Sequence, residues 1–131
     1  MTTDGLILVI GASGAVGGRL TDRLRAASRE LRVAGRRPEA LSERWPGADA
    51  VALDVLRPET IPSGVDGVRV VVYLVHSMEA GVGHGFHMRD AEGARNLARA
   101  ARDAGVERIV YLSGLGDEQG SLSEHLWSRQ E

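Results

Sequence analysis

The sequence predicts an α/β fold built on a doubly wound parallel sheet of about five strands in the order 3-2-1-4-5. Three observations predict it. The apolar runs 6–10 and 68–75 lack the polar alternation of a half-exposed strand, as a parallel strand covered on both faces should. A glycine-rich turn, Gly11-Ala-Ser-Gly14-Ala-Val-Gly17, joins the first run directly to a helical pattern. Further β-α pairs then follow at short intervals along the rest of the chain.

Taken in order, Leu6 to Ile10 is the first strand, and Val16, Leu20 and Leu24 set the period of the first helix. Leu31 to Ala34 and Ala50 to Leu53 are shorter strand candidates, each preceded by a segment able to form a helix or a short crossover. Residues 68–75 form a fourth strand, central like the first. A long helix is expected over Phe86 to Ala104, with Ala91, Ala94, Leu97, Ala98, Ala101 and Ala104 on one face and Gly105 as its left-handed stop. Arg108 to Leu112 is the fifth strand. Right-handed crossovers put helices on both faces of such a sheet. The final segment, 121–131, opens like a helix with Ser121 or Ser123 as N-cap and has no C-cap, so the chain reads as a truncated domain. That leaves the fifth strand as an open edge, suited to pairing with a second copy or a protein partner.

The 131 residues suit one domain, 1–131, with 43% hydrophobic and 26% charged residues. A net charge of −2 suggests no polyanionic partner, so nucleic acid is not expected. Absence of cysteine excludes a disulfide, a thiolate nucleophile and a zinc-thiolate site. The N-terminus lacks the basic start and apolar core of a signal peptide, and the run 68–75 is too short to cross a bilayer. A cytoplasmic protein without membrane contact is expected.

The glycine turn is where chemistry enters. Glycines permit a tight turn and a close approach of backbone to ligand, and the following helix directs its unpaired N–H groups and positive dipole end at an anion. Gly11, Ala12, Ser13, Gly14, Ala15, Val16 and Gly17 therefore read as a cradle for the pyrophosphate of a dinucleotide, in a Rossmann-type domain. About 20 residues later an acidic side chain would bind the ribose hydroxyls of NAD, whereas arginine accommodates the 2′-phosphate of NADP. Here Arg36 and Arg37 follow Gly35, which favours NADP over NAD; the alternative is two solvated arginines before Pro38. Asp54, followed by Val55, is a candidate acceptor for the adenine amino group or else a loop-capping aspartate. Leu74, Val75 and His76 close the fourth strand and would meet the ribose or adenine side. The loop holding Gly81, Gly83 and Gly85 suits a flap over the nicotinamide half or a plain surface loop. His76, His84 and His87 have no carboxylate or thiolate spaced to complete a metal site, and none is expected. Asp90 and Asn96 on the long helix read as structural.

Gly11-x-x-Gly14-x-x-Gly17, Ala34-Gly35-Arg36-Arg37, Leu53-Asp54-Val55 and Gly105-Val-Glu-Arg-Ile-Val-Tyr-Leu-Ser113 occur together. With them the chain resembles an atypical short-chain dehydrogenase/reductase. Tyr73-Leu-Val-His-Ser-Met78 and Leu122-Ser-Glu-His-Leu-Trp-Ser-Arg129 resemble its NmrA-like, NAD(P)H-binding branch, related to epimerases and to the NAD(P)-binding subunit of respiratory complex I. The likeness covers the N-terminal part of a usual member. It implies hydride transfer, with a tyrosine as proton donor, a lysine four residues on, and a serine or threonine orienting the carbonyl. In this sequence His125 stands at the tyrosine position, Arg129 at the lysine position, and Ser113 near the serine. Imidazole is a competent general acid near neutral pH, so these three are the catalytic candidates; the alternative puts His125 and Arg129 on the surface of a terminal helix. The first reading is an NADP(H)-dependent oxidoreductase with a small carbonyl or alcohol substrate. The alternatives are a non-catalytic NADP(H)-sensing module and a scaffold protein.

Overall fold

The computed structural model describes residues 5–74 and 84–112, with backbone only for 84–90 and 112. Five parallel strands, β1 (Leu6–Ile10), β2 (Leu31–Gly35), β3 (Asp49–Ala52), β4 (Val68–Leu74) and β5 (Arg108–Leu112), form one sheet. Its order is β3-β2-β1-β4-β5, as the sequence predicts, with β1 and β4 inside and β3 and β5 at the ends among the described residues. Val9 lies opposite Val33 of β2 and Val72 of β4, so the middle of the sheet is a band of apolar side chains.

The strands alternate between two cores, because successive side chains leave opposite faces of a strand. On one face Leu8, Ile10, Ala34, Val71 and Tyr73 pack with Ile61 and Val65 of α3 (Ile61–Val65) and Leu97 of α4 (His84–Ala104). On the other, Ile7, Val9, Val33, Val72 and Leu74 pack with Leu20 and Leu24 of α1 (Ala15–Ala26) and Leu41 of α2 (Pro38–Arg44). Trp45, at the end of α2, joins this second core and donates its Nε1–H to Asp22 Oδ1 at 2.8 Å, tying α2 to α1.

Two helices end in the same way. At α4, Gly105 has φ +83°, its N–H donates to the Arg102 carbonyl at 3.1 Å, and the Val106 N–H donates to the Ala101 carbonyl at 2.9 Å. This is a Schellman cap, with the predicted glycine at the left-handed position. At α1 the same pair of bonds, Ser28 to Arg25 and Arg29 to Leu24, closes around Ser28 at φ +59°.

Some details depart from the sequence reading. Strand β3 covers Asp49–Ala52 rather than 50–53, although the Leu53 N–H still donates to the Gly35 carbonyl. Val16 is 48% exposed, since the face of α1 that meets the sheet carries Gly17 and Thr21. On α4, Ala91, Ala98 and Ala104 are exposed, and the packed face runs through Gly93, Ala94, Leu97, Ala100 and Ala101. No helix of the described residues is long and apolar enough to cross a membrane.

Candidate functional site

The first glycine of the motif is required by backbone geometry. Gly11 has φ +96°, a conformation in which a side chain is strained, and a Cβ there would overlap the Leu74 carbonyl oxygen. A Cβ at Gly17 would overlap the Gly11 carbonyl in turn. The start of α1 is thus pressed onto the turn that leaves β1, close to the carboxyl end of β4. Ala12 is buried in the core beneath, while Ser13, Ala15 and Val16 are exposed. Gly14 caps α1 with extended backbone and no side-chain hydrogen bond, and the first turn holds no acidic residue. The first intrahelical bond runs from the Gly18 N–H to the Gly14 carbonyl at 2.8 Å, so the N–H groups of Ala15, Val16 and Gly17 precede it. Such a turn offers an anion unpaired donors and the positive end of the helix dipole, with no carboxylate to repel it. These residues fit a pyrophosphate.

The second part of the site comes from β2. The Gly11 N–H reaches toward the Ala34 carbonyl at 3.5 Å, so the end of β2 lies beside the glycine turn. Arg36 and Arg37 follow at once; both are exposed, and neither makes an ion pair among the described residues. Arg37 is also the N-cap of α2, its carbonyl accepting from the Ala40 N–H at 3.1 Å. Sequence reasoning missed a third cation. Arg44 stacks over the Trp45 ring with its guanidinium 4.4 Å from the ring centre, and its Nη1 lies 3.4 Å from the Ser13 carbonyl oxygen. A Cβ at Gly18 would overlap the same guanidinium. The neighbouring tryptophan was the available signal, because an arginine beside an aromatic ring is held by cation–π attraction rather than left to solvent.

The third part is the loop after β3. Asp54 is half-buried; its N–H donates to Thr60 Oγ1 at 2.9 Å, and its Oδ1 accepts the Leu56 N–H at 3.0 Å. Asp54 therefore caps its own loop through one oxygen, while Oδ2 has no hydrogen-bond partner among the described residues. Val55 follows, held by Asn96 of α4, whose Nδ2 donates to the Val55 carbonyl at 2.8 Å. Leu74 ends β4 with its side chain buried in the core under α1.

The structure thus brings together the glycine turn, the ends of β2 and β4 and the loop after β3 at the carboxyl edge of the sheet, where ligands of open α/β sheets bind. Val75, His76, Ser113, His125 and Arg129 lie outside the described residues, as do the loop glycines 81 and 83. A cavity of about 370 Å³ opens behind the loop after β3, between Pro58, Pro62, Asn96, Arg99 and Asp103. No glycine-turn or strand residue lines it.

Comparison with known proteins agrees with this geometry. Residues 11–130 match a family model described as NAD(P)H-binding. The chain is 29% identical to a ceramide reductase of Caulobacter vibrioides, over 99% of this chain and 42% of that protein. Among solved structures, a short-chain dehydrogenase/reductase superfamily protein from Agrobacterium tumefaciens with bound NAD is similar at a TM-score of 0.68 and 29% identity. The match covers 81% of this chain and 31% of that one. A triphenylmethane reductase of Citrobacter sp. complexed with NADP(H) is similar at a TM-score of 0.67 and 28% identity, over 80% of this chain and 36% of the other. The chain spans less than half the length of each of these three proteins. With the glycine turn, the sheet order and the family match in agreement, the chain belongs to the NAD(P)H-binding family of the atypical short-chain dehydrogenases/reductases.

Proposed function

We propose that this chain is the cofactor-binding part of an NADP(H)-dependent oxidoreductase acting on a carbonyl or alcohol substrate. The observation that carries the reading is the adjacency of the glycine turn to Arg36, Arg37 and Arg44. In this reading the N–H groups at the start of α1 bind the pyrophosphate, and the exposed guanidiniums of Arg36 and Arg37 bind the 2′-phosphate by charge-assisted hydrogen bonds. Arg44 adds positive charge at the Ser13 carbonyl of the turn. Asp54 Oδ2 accepts the adenine amino group, and Leu74 with Val75 and His76 bounds the ribose or adenine side. When bound, the nicotinamide supplies or accepts hydride. Ser113 would hold the substrate oxygen and His125 carry the proton, with Arg129 standing in the chain where the family has its lysine.

Calorimetric titration of the 131-residue chain with NADPH and NADH tests the cofactor reading. NADPH is expected to bind more tightly, and replacing Arg36 and Arg37 together by alanine should weaken NADPH by roughly 2 to 4 kcal/mol while leaving NADH nearly unchanged. Equal losses for the two cofactors would refute the assignment of the arginines.

A second reading is favoured by one specific observation, the histidine and arginine at the positions of the family's tyrosine and lysine. A module that senses NADP(H) without turning it over needs the cradle and not the proton donor. β5, at the end of the described sheet, would then serve as an edge for a protein partner or a second copy. NADPH consumption with carbonyl compounds, abolished in His125→Ala at unchanged NADPH affinity, supports the enzyme. NADPH-dependent dimer formation without turnover supports the sensor.

A further inference from the structure

The Asp54 carboxylate is useful for recognition only if the loop that carries it stays in place, and that loop is not held by the sheet alone. From the α3 side the Asp54 N–H is bound by Thr60 Oγ1 at 2.9 Å, a hydroxyl that also stands within donating distance of the Asp54 and Arg57 carbonyls, at 2.9 and 2.8 Å. The other restraint comes from the middle of α4, a helix 41 residues further along the chain. There Asn96 Nδ2 donates to the Val55 carbonyl at 2.8 Å. Three residues before it, on the same helical face, Gly93 leaves a notch for the Val55 side chain. A Cβ at Gly93 would lie 2.7 Å from Val55 Cγ2 and 3.2 Å from the Tyr73 hydroxyl. Any larger residue would therefore push the loop away from the helix. Gly93 is buried, while Asn96 and Val55 are half-buried, so the notch is closed to solvent and the hydrogen bond lies at its margin.

We infer that Asn96, working with the notch at Gly93, is a positioning residue for adenine recognition: α4 grips Val55 by its carbonyl and its side chain and so fixes the neighbouring Asp54 carboxylate. The inference rests on the reading of Asp54 given above. Asn96 itself touches no ligand group in this arrangement. Its amide is the donor and the Val55 carbonyl the acceptor, so an aspartate in its place, nearly the same size but lacking that donor, would turn the contact repulsive. The adenine is thereby selected partly by a residue two steps removed from it, on a helix that the sequence alone marks as structural.

The test compares NADPH with its 6-deamino analogue, in which hypoxanthine replaces adenine and the amino donor is lost. Both are titrated into the 131-residue chain, into Asn96→Ala and Asn96→Asp, and into Asp54→Ala. The unaltered chain is expected to prefer NADPH by about tenfold, the effect of one hydrogen bond to a charged acceptor. In both Asn96 variants the preference should fall to about twofold or less, and Asp54→Ala should do the same, part of the change being a gain for the deamino analogue, whose C6 oxygen no longer faces a carboxylate. Adding Asn96→Ala to Asp54→Ala should then have no further effect on the ratio, because the two act through one contact. A merely structural asparagine would weaken both ligands in parallel and keep the ratio; that result overturns the inference while the cofactor reading stands. Failure of the unaltered chain to bind either ligand overturns both.

Discussion

Ser28 is the single non-glycine residue with positive φ among the described residues, at +59°. It occupies the left-handed position of a cap whose two hydrogen bonds are both formed, so the backbone there is required by the end of α1 rather than chosen by serine. A left-handed residue with a Cβ costs about 1 kcal/mol or somewhat more, and glycine removes that cost. Ser28→Gly is accordingly expected to stabilise the chain by ~1 kcal/mol in urea unfolding, with an unchanged denaturant slope. A loss of stability would mean that the serine hydroxyl does something the cap geometry does not require. The same scale explains what was readable beforehand. Gly11, Gly14 and Gly17 stand out because a turn between strand and helix has a fixed spacing, whereas Gly93 sits inside a helix among alanines, and only its contact with Val55 reveals its use. The adjacent Trp45 is the local hint to Arg44, but that the ring is buried and the guanidinium reaches the Ser13 carbonyl is visible only in the fold.

Elements are joined at the far end of the sheet by Arg32 of β2. Its Nε binds Asp49 Oδ2 of β3 at 2.8 Å, and its Nη1 donates to the carbonyls of Gly64 at 2.7 Å and Asp66 at 3.0 Å, at the end of α3. The Arg32 side chain is only 16% exposed, and of its acceptors the Gly64 carbonyl is the buried one, whereas Asp49 and Asp66 are exposed to water. Arg32→Ala is expected to cost about 1 to 3 kcal/mol of stability, most of it from the Gly64 carbonyl left without a donor. Arg32→Lys should recover only part, because a point charge cannot serve acceptors in three directions as a planar guanidinium does. Chemical denaturation of the two variants checks this, and an alanine variant within half a kcal/mol of the parent, a small loss on the scale of such bonds, would sink it. Strands β1 and β4 were legible from apolar runs alone and β2, β3 and β5 from the β-α alternation, but the packed face of α4 was not. Alanines occur all around that helix, so periodicity assigned Ala91, Ala98 and Ala104 to the core although the sheet meets Gly93, Leu97, Ala100 and Ala101. An alanine stripe carries little hydrophobic contrast, and the direction of packing is then set by tertiary fit.

For the molecule as a whole, cofactor binding and stability are linked, because a ligand that binds only the folded chain stabilises it by an amount set by its concentration relative to Kd. At a concentration of about 100 Kd, NADPH should add about 2.7 kcal/mol, equivalent to a rise in Tm on the order of 10 °C for a chain of this size. The salt dependence of that rise separates the two halves of the site. On the proposed reading the pyrophosphate would be read by backbone N–H groups at the start of α1, common to NADPH and NADH, and the 2′-phosphate by the exposed guanidiniums of Arg36 and Arg37. Interactions among exposed charges are screened over a Debye length of about 10 Å at 0.1 M salt and about 3 Å at 1 M. The advantage of NADPH over NADH in Tm should therefore shrink as salt rises from 0.05 to about 0.5 M, with the shift due to NADH much less affected, and Arg36→Ala/Arg37→Ala should abolish the salt-sensitive part. Differential scanning calorimetry at matched multiples of Kd, both determined at low salt, measures this directly. An NADPH advantage indifferent to salt would point instead to a desolvated contact for the 2′-phosphate, with the exposed arginines as bystanders.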